Sequence, residues 1–139
     1  MILLDTNVLS ELMRPQPNPN VVNWMNDQPT QTLFISTITI AEIELGIALL
    51  PDGQRKHDLE NAAKQSFKLF GDRCLNFNQS SAHQYAKLVA ERREIGRPIS
   101  VEDALIAAIA LANGLHLATR NSKDFQYTNS LTLINPWDN

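Results

Sequence analysis

Carboxylates at four well-separated places in this sequence stand where they would be able to hold a hard metal ion. Asp5 closes the apolar run Ile2-Leu3-Leu4. Glu42 follows a second apolar run, Leu33-Phe34-Ile35, by a few residues. Asp103 opens a long apolar stretch, and Asp124 lies with Asn121 in the polar segment after Thr119. Two carboxylates ~5 Å apart repel by roughly 3 kcal/mol at an effective dielectric of about 20, so a group of them persists only where protons or metal ions compensate. All-oxygen ligation favours Mg²⁺ or Mn²⁺ over zinc. His57, His83 and His116 are scattered and read as surface or packing residues, with no Cys–His spacing of the zinc type. A hard cation held by acids polarises a phosphate, helps deprotonate a water and stabilises a leaving oxygen, which is the apparatus of phosphoryl and phosphodiester chemistry.

Each acid also has a plainer reading. Asp5 suits a helix N-cap. Thr39-x-x-Glu42 and Ser100-x-x-Asp103 both fit a capping box, and the stretch from Thr119 to Phe125 fits an ordinary polar turn. Asp103 is the hardest to dismiss. It opens the run Ala104 to Ala112, and a helix apolar on every side is buried. No Lys or Arg lies within that helix to pair with it. The helix N-terminus offers up to ~1 kcal/mol, less than the cost of burying an unpaired carboxylate.

The elements that must position these acids follow from periodicity and punctuation. Ile2-Leu3-Leu4 reads as a buried strand, and Thr6-Asn7 leads into a helix beginning Val8-Leu9. An acid at the carboxyl end of such a strand sits where α/β sheets place their ligand sites. Alternating prolines at positions 15, 17 and 19 stop that helix, and Asn18 caps the next with Pro19 at its first position. Leu33 to Ser36 is a second strand. Thr37 to Leu50 reads as a helix with Ile40, Ile43, Leu45, Ile47 and Leu50 at near-helical spacing. Leu59, Ala63, Phe67 and Phe70 mark the helix paired with it. Cys74 to Phe77 is a third strand, and Ala82, Tyr85, Ala86 and Val89 mark a helix ending near Gly96-Arg97-Pro98. Ser100 to Asn113 is the apolar helix, stopped by Gly114 in the left-handed conformation. Leu115 to Thr119 and Leu131 to Ile134 are the last strands. Strands alternating with helices predict a mainly parallel sheet covered on both faces, a three-layer α/β/α sandwich. That topology carries Asp5, Glu42, Asp103 and the segment after Thr119 toward one edge of one sheet.

Composition limits the alternatives. The 139 residues, 43% hydrophobic and 19% charged, predict a single globular domain over residues 1–139. A lone cysteine excludes an internal disulfide and fits a reducing cytoplasm. No basic leader precedes the first strand, and the run from Ala104 to Ala112 is too short to span a bilayer. A net charge of −3 argues against a protein that coats nucleic acid by bulk electrostatics. It leaves room for a nucleic-acid enzyme, because a bound divalent cation reverses the field of an acidic site.

Taken in order, Ile2-Leu3-Leu4-Asp5-Thr6-Asn7, Ser36-x-x-Thr39-x-Ala41-Glu42-x-x-x-Gly46, Asp103-x-x-Ile106-Ala107-Ala108, Thr119-Arg120-Asn121 and Asn135-Pro136-Trp137 resemble a PIN-domain nuclease of the VapC or FitB toxin type. The ordered set covers the chain from end to end. The resemblance implies a Mg²⁺- or Mn²⁺-dependent endoribonuclease acting on structured RNA, often tRNA. It implies Asp5 and Asp103 as principal metal ligands, with Glu42 completing the acidic triad directly or through water. Thr6 and Thr119 match positions that line the site. The family often has a fourth Asp where this chain has Asn121, a neutral ligand at best, so that Asp124 or the RNA would have to supply the missing charge. The resemblance also implies a homodimer and a small VapB- or FitA-like antitoxin, through which the toxin reaches operator DNA. Arg14, Arg92, Arg93, Arg97, Arg120 and Lys123 are candidates for phosphate contact, with Arg92 and Arg93 also readable as solvated helix-end charges. Two other functions compete. One is a non-catalytic subunit whose acidic pocket docks a basic partner peptide on DNA. The other is an aspartyl phosphatase, for which Asn7 stands where an acid–base group is needed.

Overall fold

The computed structural model describes residues 1–138. Five short strands, β1 (Ile2–Leu4), β2 (Leu33–Ser36), β3 (Cys74–Leu75), β4 (His116–Ala118) and β5 (Leu133–Ile134), form one sheet in the order β3-β2-β1-β4-β5. All four pairings are parallel. The chain builds outward from β1 to β2 and β3, then returns to add β4 and β5 on the other side. The strand order therefore reverses between β1 and β4, and in open α/β sheets the crevice at such a reversal is where ligands bind.

Helices α1 (Thr6–Leu12), α2 (Pro19–Asp27), α3 (Thr37–Ala48), α4 (Gln54–Phe70), α5 (Gln79–Glu94), α6 (Val101–Ala112) and α7 (Ser122–Phe125) connect the strands. The period-two alternation of β1 divides the core into two. Ile2 and Leu4 join Val8, Val21, Ile43, Ile47, Ala63 and Phe70 in the cluster built from α1 to α4. Leu3 joins Leu88, Ile106, Ile109, Leu117 and Phe125 in the cluster built from α5 to α7. Each fully buried Leu or Ile contributes about 1.5–3 kcal/mol relative to exposure. The predicted α/β/α layering is present. Asn18 caps α2 through its Oδ1, 2.9 Å from the Asn20 N–H, with Pro19 as first residue. Gly114, at φ +65°, ends the chain's turn out of α6 in the left-handed region where glycine meets no Cβ penalty. No helix among the described residues is long and apolar enough to cross a membrane.

The departures from the sequence reading have physical causes. Helix α3 ends at Ala48, and its sheet-facing positions are Thr39, Ile43 and Ile47. Leu45, two residues from Ile43, falls on the far side and is 60% exposed. The third, fourth and fifth strands are shorter than their apolar runs, although Thr119 and Thr132 at their margins still exchange backbone bonds with the neighbouring strand, Thr119 N–H to the Ile134 carbonyl and Leu117 N–H to the Thr132 carbonyl, each at 2.9 Å. Helix α7 is a single turn in a segment read as a polar turn. Its one buried residue is Phe125, which anchors it to the core.

Arg92 is the main correction. It is neither a phosphate contact nor a solvated helix end; only 4% of it is exposed. Its Nε donates to the Arg97 carbonyl at 2.7 Å, and one terminal nitrogen donates to the Asp124 carbonyl at 3.0 Å and to Thr128 Oγ1 at 3.2 Å. The side chain ties the end of α5, the α5–α6 connection and α7 together. Arg92→Ala leaves two part-buried carbonyls and the buried Thr128 hydroxyl without this donor and should destabilise the protein by about 3 kcal/mol. Arg93→Ala, on the exposed side of the same helix, should change stability by less than about 0.5 kcal/mol. Urea unfolding of the two variants beside the parent measures the contrast.

Candidate active site

Backbone and side chain both fasten Asp5 at the β1–β4 reversal. Its N–H donates to the Ala118 carbonyl at 2.8 Å. Its Oδ1 accepts from the Thr6 N–H at 2.8 Å, so the N-cap reading of Asp5 holds. Capping does not exhaust its role, because the side chain is also buried and its other oxygen is engaged. Oδ2 accepts from Thr119 Oγ1 at 2.7 Å and from Asn7 Nδ2 at 3.2 Å, and the residue is only 3% exposed.

Glu42 reaches the same place from α3. The capping-box reading fails for it. The cap of α3 is Ser36, whose Oγ accepts from the Thr39 N–H at 3.3 Å, which puts Glu42 beyond the first turn. Its Oε1 instead accepts from Thr6 Oγ1 at 2.7 Å, and Thr6 Oγ1 lies 3.0 Å from the buried Thr39 hydroxyl. Asp103 is half-buried in the first turn of α6, where Ser100 is the cap and accepts from the Asp103 N–H at 3.2 Å.

The acids sense one another. Burial is the largest influence on Asp5 and raises its pKa from 3.8 to about 6. The Thr119 and Thr6 hydrogen bonds oppose that rise, and the charges of Asp103 and Glu42 add to it. Burial also raises Asp103. The Ser100 hydroxyl opposes it, and the charges of Asp124, Glu42 and Glu102 add to it. Asp124 is exposed on α7 and enters the site through its charge. Asn121 is exposed and makes no side-chain cap to α7; its backbone N–H donates to Thr119 Oγ1 at 3.0 Å.

Among the cations, Arg120 holds its guanidinium 5.2 Å from the Trp137 ring centroid. Arg14 is ion-paired to Glu11 at 3.3 Å. It lines, with Thr6 and Glu42, a groove of about 1010 Å³ running along α3 and α4. Lys123 borders a smaller pocket with Asp103 and Asp124. Asn7 and Thr39, which the sequence offered as turn, cap and motif residues, bond within the site, and Glu11, which sequence reasoning did not single out, supports the turn beside it. The Asn7 amide donates to Asp5 and to Thr119 Oγ1, and its oxygen accepts from the Arg120 N–H at 3.2 Å. It thereby laces the ends of β1 and β4 together. Glu11 is buried and accepts from the Asn18 N–H at 2.9 Å, which fixes the proline-rich turn. Only the position of Asn7 directly after Asp5-Thr6 hinted at its role.

Among the described residues, no three His, Cys, Asp or Glu side chains form a ready-made metal cage. The donor set nonetheless fits Mg²⁺ or Mn²⁺, which are held by one or two carboxylates together with waters and substrate phosphates. A buried carboxylate facing two like charges is the arrangement that a divalent cation relieves.

A family model described as "PIN domain" matches residues 2–130. This chain belongs to the PIN-domain family. Its relatives include a plasmid stability protein, StbB, of Pseudomonas syringae pv. tomato, 47% identical over 139 residues, with 99% of both chains covered. The toxin FitB of Neisseria gonorrhoeae is 41% identical, again with 99% of both covered. A VapC ribonuclease of Sinorhizobium fredii is 37% identical at the same coverage. Among solved structures, the FitAcB crystal structure from Neisseria gonorrhoeae superposes with a TM-score of 0.92 at 39% identity, covering 100% of both chains. A structure of FitAB bound to a DNA fragment gives the same TM-score and identity, covering 100% of this chain and 97% of that one.

The raised Asp5 pKa of this PIN domain fixes a sign. Its folded state holds the proton more tightly than the unfolded chain, so this contribution to stability is complete below about pH 4 and is lost as pH rises through 6. Two pKa units amount to roughly 3 kcal/mol. In EDTA at about pH 7.5, Asp5→Asn should therefore melt several degrees above the parent, with the gap closing near pH 4. Added Mg²⁺ should raise the melting temperature of the parent and leave that of the variant unchanged.

Proposed function

We propose that this PIN domain is the toxin of a type II toxin–antitoxin pair, and that it is an endoribonuclease hydrolysing RNA phosphodiester bonds with Mg²⁺ or Mn²⁺. The observation that carries the reading is the buried Asp5 carboxylate at the β1–β4 reversal, with Glu42 and Asp103 placed so that their charges act on it. The ribonuclease name of the VapC relative supports the reaction. The FitAB complexes support an antitoxin partner, and DNA binding through that partner.

In this reading Asp5 and Asp103 are the metal ligands and Glu42 acts beside them. When bound, the divalent cation polarises the scissile phosphate and lowers the pKa of an attacking water. The chain's own residues prepare the place. The Thr119 hydroxyl, the Thr6 N–H and the Asn7 amide donate to Asp5, which favours its ionised form. The Thr6 hydroxyl donates to Glu42 and so ties it to the residue next to Asp5. Asn121 and Asp124 stand at the rim, where Asp124 supplies charge that Asn121 does not. Arg14, Arg120 and Lys123 meet flanking phosphates. The chain acts as a single domain in the cytoplasm, as a homodimer neutralised by its antitoxin. An aspartyl phosphatase is disfavoured, because the Asn7 side chain is occupied holding Asp5, Thr119 and Arg120 in place.

The decisive test incubates pure protein with total RNA in Mg²⁺, Mn²⁺ or EDTA. Cleavage is expected with either ion and absent in EDTA. Asp5→Asn and Asp103→Asn should each lower the rate by about 100-fold or more while remaining folded. Undiminished cleavage by folded Asp5→Asn protein would remove Asp5 from the reaction and with it this assignment.

A further inference from the structure

Two cations in the pocket beside Asp103 stand outside ion-pair distance of any carboxylate among the described residues. Its volume is about 410 Å³, and Arg97, Lys123, Asp124 and Tyr127 line it together with Asp103. That size suits one nucleotide. The two ion pairs among the described residues engage Arg14 and Lys56, so neither Arg97 nor Lys123 is paired with a carboxylate. Both are exposed.

Arg97 is also held in a definite pose. Its guanidinium carbon lies 4.0 Å from the centroid of the Tyr127 ring, which is 45% exposed. A guanidinium held over an aromatic ring by cation–π attraction keeps N–H groups free to bond phosphate. The wall behind it is rigid, because Arg92 binds the Arg97 carbonyl, the Asp124 carbonyl and the Thr128 hydroxyl at once. An acidic centre repels a polyanion, so a strand entering it needs cations that are not already neutralised within the protein. Arg14 serves the Glu42 side, where it lines the groove with one nitrogen on Glu11, and Arg92 is buried. Arg97 and Lys123 meet the requirement on the Asp103 side.

We propose that this pocket is a nucleotide subsite for single-stranded RNA adjoining the scissile bond, with Arg97, braced by Tyr127, and Lys123 binding the flanking backbone phosphate. The proposal rests on the nuclease reading above. It adds Tyr127 and Arg97 as residues that hold substrate, and it gives the strand a path over the α5–α6 connection and α7.

The test uses the Asp5→Asn protein in EDTA with a fluorescently labelled single-stranded oligoribonucleotide, so that binding is read without cleavage. Adding Arg97→Ala or Lys123→Ala should weaken binding about three- to ten-fold and make the slope of log affinity against log salt shallower by about 0.7 each. Tyr127→Phe should bind as the Asp5→Asn parent does, and Tyr127→Ala should weaken binding as Arg97→Ala does. Lys68→Ala, an exposed change in the last turn of α4, should alter neither quantity. In the active enzyme Arg97→Ala should raise KM and leave kcat unchanged.

If both Ala variants keep the parent's affinity and salt slope while the wild type cleaves RNA, the subsite is overturned and the nuclease reading stands. Loss of antitoxin binding with RNA affinity unchanged also overturns the subsite, by making the pocket a protein-docking surface. If the wild type neither binds nor cleaves RNA, both readings fall together.

Discussion

A carboxylate buried where two parallel strands meet must be held by donors, and the Asp5 side chain is held by three. One comes from the helix it caps, one from the neighbouring residue Asn7, and one from Thr119 at the end of β4. The rest of the site is arranged around this knot. The Asp5 N–H bonded to the Ala118 carbonyl sets the register at which β1 and β4 end together. Thr6, the next residue, carries the connection across to Glu42. Three consecutive residues, Asp5, Thr6 and Asn7, thus connect elements that lie far apart in sequence.

These contacts do not remove the electrostatic cost. Hydrogen bonds favour the ionised form of Asp5, yet burial and its acidic neighbours win, and its proton is held up to about pH 6. The metal-free protein is therefore strained at neutral pH, and the apolar core must offset that strain. It does so with close packing on both sheet faces. Helix α6 is buried at Ala104 and from Ile106 to Ala110, and its alanines let it lie close to the sheet. Asp103 is carried at the amino end of this helix, so the best-buried helix positions one of the acids. A site under repulsion is built on rigid elements, which is the usual way such strain is tolerated.

Much of this was legible in the sequence. The strand–helix alternation, the cap at Asn18 with Pro19 and the burial of α6 each follow from local pattern. The placement of Asp5 at a strand's carboxyl end came from one apolar run and one acid. Other features were hidden because they depend on contacts across the fold. Nothing local distinguishes Arg92 from Arg93, and only the approach of α7 decides which of the two is buried. The apparent capping box at Glu42 dissolved because Ser36 caps α3 earlier than the spacing suggested. Leu45 looked like core because α3 is apolar on several sides, and period alone does not say which side meets the sheet. Asn7 was visible as a turn residue, but its bonds to Thr119 and Arg120 required knowing that β4 lies beside β1.

The Asp5–Thr119 hydrogen bond joins residues 114 positions apart, and this separation has a consequence in time. Chains are synthesised from the amino end, and contacts of long sequence separation form late. A ribosome making this protein assembles no complete acidic centre until it has translated past residue 119. Incomplete nascent chains and fragments lacking β4 would carry Asp5 and Glu42 without the partner strand that orients Asp5.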